Sequence, residues 1–219
     1  MLHYLQELFQ QLNFSSLWDA VARVAAIFLC LTVHETCHGL AAYALGDPTA
    51  KSMHRLSLNP LRHIDWVGLV MMFAVGFGWA KPVPVDMRYF KNPKRGMAVT
   101  ALAGPLSNFL LAALLIAVSK VIYLYAPYGA VWNALFVFCL YTAAPLSVGL
   151  GLFNLLPIPP LDGSKVLGAF LPDQTYYKLM RYERYGMILL LLLSFVGIGG
   201  SLISRGIYAV YGGLFNLFY

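Results

Sequence analysis

The chain has 219 residues, enough for one compact domain of roughly 150 residues plus a small appendage, and too few for multidomain machinery. Apolar residues make up 60% and charged residues 11%, against roughly 45–50% and 25% in soluble domains, which excludes disorder and argues against an ordinary soluble globule. A net charge of +6 from fifteen basic and nine acidic residues is too sparse for a phosphate-tracking surface, so nucleic acid is not the expected partner and the charge is read as membrane topology.

In chain order, residues 1–16 carry Leu2, Leu5, Phe9 and Leu12 at helical spacing, with no Lys or Arg before Arg23 and no small-residue cleavage site. That pattern predicts an interfacial amphipathic segment rather than a cleaved signal peptide. A spanning helix needs about 20 mostly apolar residues, and four stretches qualify: Leu17 to Leu45, Met97 to Tyr125, Val131 to Leu156, and Tyr185 to about Ile203. Gly46-Asp47-Pro48 closes the first, a helix stop followed by turn chemistry. Val67 to Ala80 differs, being shorter, interrupted by Gly68, Gly76 and Gly78, and followed by Lys81-Pro82-Val83-Pro84. Residues 17–204 are therefore taken as core and fourth span, and residues 205–219 as an apolar C-terminal tail. Cys30, Cys37 and Cys139 all lie in apolar runs and read as small buried hydrophobes, not as a disulfide framework.

The basic residues set the orientation. Lys51, Arg55 and Arg62 follow the first span; Lys81, Arg88, Lys91, Lys94 and Arg95 precede the second; Lys165, Lys178, Arg181 and Arg184 separate the third from the fourth. If these loops are cytoplasmic, the first and third helices run inward and the second and fourth outward. The parity holds only if residues 46–95 enter and leave on one side, so Val67 to Ala80 is expected to be re-entrant, with Leu56 to Leu58 and Val83 to Val85 suggesting short strands. The expected fold is an all-α membrane protein, a polytopic helical bundle of about four spanning helices plus a re-entrant hairpin-like segment.

Within the first span, IFLCLTVHETCHGLAAYAL places His34, Glu35 and His38 at membrane depth, where three such polar groups together cost several kcal/mol. His34 and His38 are one helical turn apart on one face, so both imidazoles reach one ion, with Glu35 beside them. This is H-E-x-x-H, with Zn²⁺ as the expected metal and the glutamate as base. A catalytic zinc site takes three protein ligands and keeps one open position. The candidate third ligand is Asp162, in Asn154-Leu-Leu-Pro157-Ile-Pro159-Pro160-Leu-Asp162-Gly163, where the prolines end the third helix and Gly163 permits a tight turn. The alternative reading of that segment is a plain proline-rich loop.

HETCH, NPLRHID, FGWAKPVPVD, AGPLSN and NLLPIPPLDG, in this order over roughly residues 30 to 170, resemble the site-2 protease family of intramembrane zinc metalloproteases, especially its small prokaryotic branch lacking regulatory domains. The resemblance implies one zinc per chain held by His34, His38 and Asp162, with Glu35 as general base and Asn154 contacting the substrate near the oxyanion. It also implies a three-helix catalytic core with a strand-like re-entrant element. His54 stands where the family's pattern usually has Gly, and it and His63 are read as surface histidines of one loop, with a regulatory or second-metal role as the alternative. Gly104-Pro105-Leu-Ser-Asn108 is read first as close helix packing and second as a way to bring an Asn toward the site.

The expected function is hydrolysis of peptide bonds within or near transmembrane segments of membrane-protein substrates. The partners are those substrates and the lipid bilayer, with a homo-oligomer allowed, in a multi-pass cell-membrane protein whose active site lies toward the cytoplasm. A membrane metal-binding or transport protein is the first alternative, though it would need neither Glu35 beside the ligands nor a proline-rich segment at the site. An inactive protease-like adaptor is the second.

Overall fold

The computed structural model describes residues 17–75, 79–196 and 200–219, and the described residues are organised almost wholly as helices. The amphipathic segment expected over residues 1–16 lies outside them.

Helix α1, Leu17–Ala44, stops just before Gly46-Asp47-Pro48, as expected from that turn. Gly46 takes φ +104°, and the N–H groups of Gly46 and Asp47 bond Tyr43 and Ala42 carbonyls, a Schellman ending that uses glycine's freedom in the left-handed region. Short α2, Thr49–Ser52, follows, then the 3-10 turn Pro60–Arg62 and α3, Trp66–Val75. An antiparallel bridge pairs Ile64 with Ala80, so the chain that leaves through α3 comes back to its starting point. The chain on either side of α3 thus meets at this bridge, but the strands expected at Leu56 to Leu58 and Val83 to Val85 do not form. Pro82 and Pro84 have no N–H to give a ladder, and the N–H groups of Val83 and Asp86 are taken by side chains, Glu35 and Asp47. Arg55 adds Nη2 bonds to the Lys81 and Pro82 carbonyls at 2.7 and 3.3 Å, so three side chains clamp the returning segment.

Helix α4, Pro93–Tyr125, opens with Asn92 as its N-cap, the side chain accepting from Arg95 N–H, and a proline in the first turn. Helices α5, Ala130–Val137, and α6, Ala144–Asn154, join through a π-helical stretch, Phe138–Ala143, into one long run. Pro145 cannot donate into that ladder, and Tyr211 supplies a replacement donor nearby, its hydroxyl bonding the Leu140 carbonyl at 2.9 Å. Among the described residues three helices are long and apolar enough to cross a membrane: Trp18–Ala44, Pro93–Tyr125 and Ala130–Asn154. The stretch expected as a fourth span falls on two helices, α9, Glu183–Val196, and α10, Gly200–Phe218, and neither qualifies among the described residues. Between α6 and α9 lie α7, Asp162–Gly168, and α8, Asp173–Arg181.

The bundle is apolar outside and holds polar groups within. On α4, Leu106, Leu110 and Leu114 face outward, whereas Ser107, Asn108 and Ser119 are buried. A soluble helix would reverse that distribution, and hydrocarbon around the molecule accounts for it. Helices α1, α4 and α6 pack on one another around Ala26, Ala112, Ile116, Leu140, Ala144 and Val148, and α10 lays Ile207, Val210 and Tyr211 against the same core. Cys30 and Cys139 are buried thiols there and Cys37 is half-buried; all three are free.

Candidate metal centre

His34 and His38 sit on the buried face of α1, at 3% and 8% exposure. Their rings meet edge to face, with centroids 4.5 Å apart, as one helical turn dictates. Asp162 begins α7 after the proline-rich segment, and Gly163 allows the turn because a Cβ there would run into the Leu155 carbonyl. The three residues converge. Asp162 Oδ2 lies 3.2 Å from His34 Nε2 and 3.1 Å from His38 Nε2, and the two Nε2 atoms are 3.0 Å apart.

These donors fit a zinc ion. With metal–ligand distances near 2.0–2.1 Å, neighbouring donors of a tetrahedral site stand about 3.3 Å apart, so the triangle needs to open by only a few tenths of an ångström. Two imidazoles and a carboxylate are also the ligand number and type of a catalytic zinc site. Among the described residues this is the one group of His, Cys, Asp and Glu side chains close enough to share an ion. Burial alone would push the Asp162 carboxyl up, but hydrogen bonds and charge from His34 and His38 outweigh it and hold the group well below the usual carboxylate range. Lys165 Nζ, 3.8 Å from the other oxygen of Asp162, adds a positive charge on that side.

Helix α4 supplies the wall behind the histidines. His38 Nδ1 donates to the Thr100 carbonyl at 2.7 Å, which leaves Nε2 as the ring nitrogen that faces Asp162. One turn on, a Cβ at Gly104 would sit 2.7 Å from His34 Cε1 and closer still to the His38 ring, so glycine is what lets the two imidazoles lie against the helix. A further turn on, the Asn108 side-chain amide comes within 3.1 Å of His34 Nδ1. Both readings of Gly104 to Asn108 therefore hold: the glycine packs closely and the asparagine reaches the site. What sequence reasoning missed was Thr100, and the spacing of Thr100, Gly104 and Asn108 by four is the signal that places all three on one helix face.

Glu35, 9% exposed, accepts a hydrogen bond at Oε2 from Val83 N–H at 2.9 Å. Asn154 ends α6 half-buried, its Nδ2 bonded to the Leu150 carbonyl one turn back at 3.0 Å. All five residues singled out from the sequence, His34, Glu35, His38, Asn154 and Asp162, line one cavity of about 540 Å³. A second, apolar cavity of about 380 Å³ adjoins it, with Leu31, Trp79, Leu150 and Phe153 lining both.

Neither His54 nor His63 joins the metal group. His54 is exposed and takes φ +54°, a left-handed conformation that explains why glycine suits this position. His63 is not a surface residue: it is 2% exposed, with Nε2 2.7 Å from the Ser57 carbonyl, and it braces the loop from inside.

Comparison with known proteins identifies the family of the chain. Residues 117–196, which include Asp162 but not His34 or His38, match peptidase family M50. The chain is 37% identical over 182 residues to "Putative zinc metalloprotease YwhC" of Bacillus subtilis, covering 80% of this chain and 81% of that protein. It is 32% identical over 196 residues to "Putative zinc metalloprotease Rip2" of Mycobacterium tuberculosis, covering 85% of this chain and 71% of the relative. No solved structure matches the chain. With the helices long and apolar enough to cross a bilayer, these relationships lead to one conclusion: the chain belongs to peptidase family M50, the site-2 protease family, and is a multi-pass membrane metalloprotease.

Proposed function

We propose that this metalloprotease holds one zinc ion at His34, His38 and Asp162 and hydrolyses peptide bonds within or near the transmembrane segments of its substrates. The observation that carries the proposal is the convergence of His34 Nε2, His38 Nε2 and Asp162 Oδ2, all within about 3 Å of one another, on a cavity that also contains Glu35. The adjoining apolar cavity, bounded by the membrane-spanning α1 and α6, supports a hydrophobic substrate.

Zinc held there supplies an activated water and polarises the scissile carbonyl. The residues around it divide the remaining work. Glu35 has one carboxylate oxygen held by Val83 N–H, and its second oxygen takes the proton of the attacking water and returns it to the leaving amine. Asn154 has two amide protons, one engaged by Leu150, and the other donates to the oxyanion as it develops. A substrate helix must unwind to expose the carbonyl that is attacked, because helical hydrogen bonds hide it.

In this reading residues 17–204 form the catalytic core with the fourth apolar stretch, 1–16 lie in the interface, and 205–219 form the C-terminal tail. The basic loops face the cytoplasm, and the site opens toward it, because the ends of α1 and α6 must then meet on that side. The test is cleavage of single-span polypeptides by the purified chain in lipid bilayers, with the cut bond mapped by mass spectrometry. Cuts in or next to the span are expected; cuts confined to soluble, unfolded regions would overturn the intramembrane assignment.

A further inference from the structure

We infer that Asn108 is a positioning residue of the metal centre, its side-chain oxygen accepting a hydrogen bond from His34 Nδ1–H and so holding His34 in the tautomer whose Nε2 lone pair faces His38 and Asp162. The inference rests on the zinc reading above.

Asn108 is fully buried. One end of its amide lies 3.1 Å from His34 Nδ1, and its Oδ1, turned the other way, is buried with no hydrogen-bond partner. A carboxamide is nearly symmetric in shape, so hydrogen bonding decides which end faces a neighbour. With nitrogen toward the ring, Nδ1 is the acceptor and the ring proton moves to Nε2; in either orientation the far end of the amide has no partner, so the choice rests on the ring. With the amide turned by half a rotation, the oxygen takes the Nδ1 proton at the same place and Nε2 is freed for a cation.

Two further observations favour the second arrangement. His38, one turn along α1, already donates its Nδ1 proton to an oxygen from the same wall, the Thr100 carbonyl. The Asn108 oxygen then does for His34 what that carbonyl does for His38, two turns further along α4. The paired Nε2 atoms, 3.0 Å apart beside a single carboxylate oxygen, also stand where two lone pairs would converge on one cation. Asn108 is itself fixed, since its backbone carbonyl accepts a bond from Ser147 Oγ at 2.8 Å that ties α4 to α6.

The test is zinc affinity of the purified full chain in detergent, measured by competition with a chelator, for wild type, Asn108→Asp, Asn108→Leu and His34→Ala. Asp keeps an oxygen acceptor without a donor, while Leu keeps the volume with neither. Leu is expected to weaken zinc binding about 10- to 100-fold, and Asp to stay within about threefold of wild type or bind more tightly. Equal weakening by Asp and Leu, or no weakening by Leu, overturns the inference. If His34→Ala binds zinc as wild type does, the metal reading itself has failed. If it loses zinc while Leu does not, only the role of Asn108 has failed. Nitrogen-15 NMR of histidine-labelled, zinc-free wild type keeps the question decidable should the variants misfold: a protonated His34 Nδ1 is expected, and an Nδ1 without a proton overturns it.

Discussion

The backbone N–H of Val83 donates to Glu35 Oε2 at 2.9 Å, joining the segment that returns from α3 to the helix that carries both histidines. Pro82 and Pro84 flank that donor and have none of their own, so Val83 alone among the three can hold the carboxylate. Val83→Pro removes it. A hydrogen bond to a charged group contributes about 1.5–3 kcal/mol, so proteolysis is expected to fall at least tenfold while zinc content stays unchanged. Turnover against zinc stoichiometry checks this, and a parallel loss of zinc would show that the segment supports the metal rather than the base.

Glu35→Gln keeps the shape at the site and the acceptor for Val83 but cannot take a proton. Zinc content should match wild type, and cleavage should drop by about 10²-fold or more. A variant that still cleaves near the wild-type rate would remove Glu35 from the mechanism.

His54 holds φ +54°, where an L side chain is disfavoured and glycine is not. His54→Gly relieves the strain, partly offset by glycine's greater freedom in the unfolded chain, so stability should rise by about 0.5–1 kcal/mol. Thermal unfolding in detergent measures it, with activity unchanged because His54 lies outside the metal group. A lower melting temperature would mean that the imidazole makes a contact worth more than the strain.

The pairing of Ile64 with Ala80 predicts where the flanks of α3 lie. Ser52 and Asn92, both exposed, should share the cytoplasmic compartment. Cysteines placed there, in a background lacking Cys30, Cys37 and Cys139, should resist a membrane-impermeant thiol reagent in intact cells and react once the membrane is opened. Labelling of position 92 alone from outside would make α3 part of a true span.

Much of the site was legible because its chemistry is local. One helical turn between His34 and His38 fixes a shared face, and the prolines before Asp162 mark a chain that has left its helix. Contacts across the bundle were harder to read. Nothing in Thr100 identifies its carbonyl as a hydrogen-bond partner, because every residue has one; the contact exists because Gly104 lets α4 press against α1. Hydrophobicity and valines suggested strands around position 83, but a strand needs a neighbour for its N–H groups, and Glu35 and Asp47 are the acceptors here. His63 carries no sequence mark of burial, and the bond to Ser57 becomes visible only once the loop closes.

Zinc binding by Asp162→Ala tests the central claim most directly, because Asp162 is the ligand that comes from a different part of the chain than the histidines. Wild type should hold one zinc per chain, and the variant, with two of three protein ligands left, should lose most of it at a chelator concentration that wild type withstands. Wild-type zinc occupancy and affinity in Asp162→Ala would contradict the account and reduce Asp162 to a residue of the proline-rich turn.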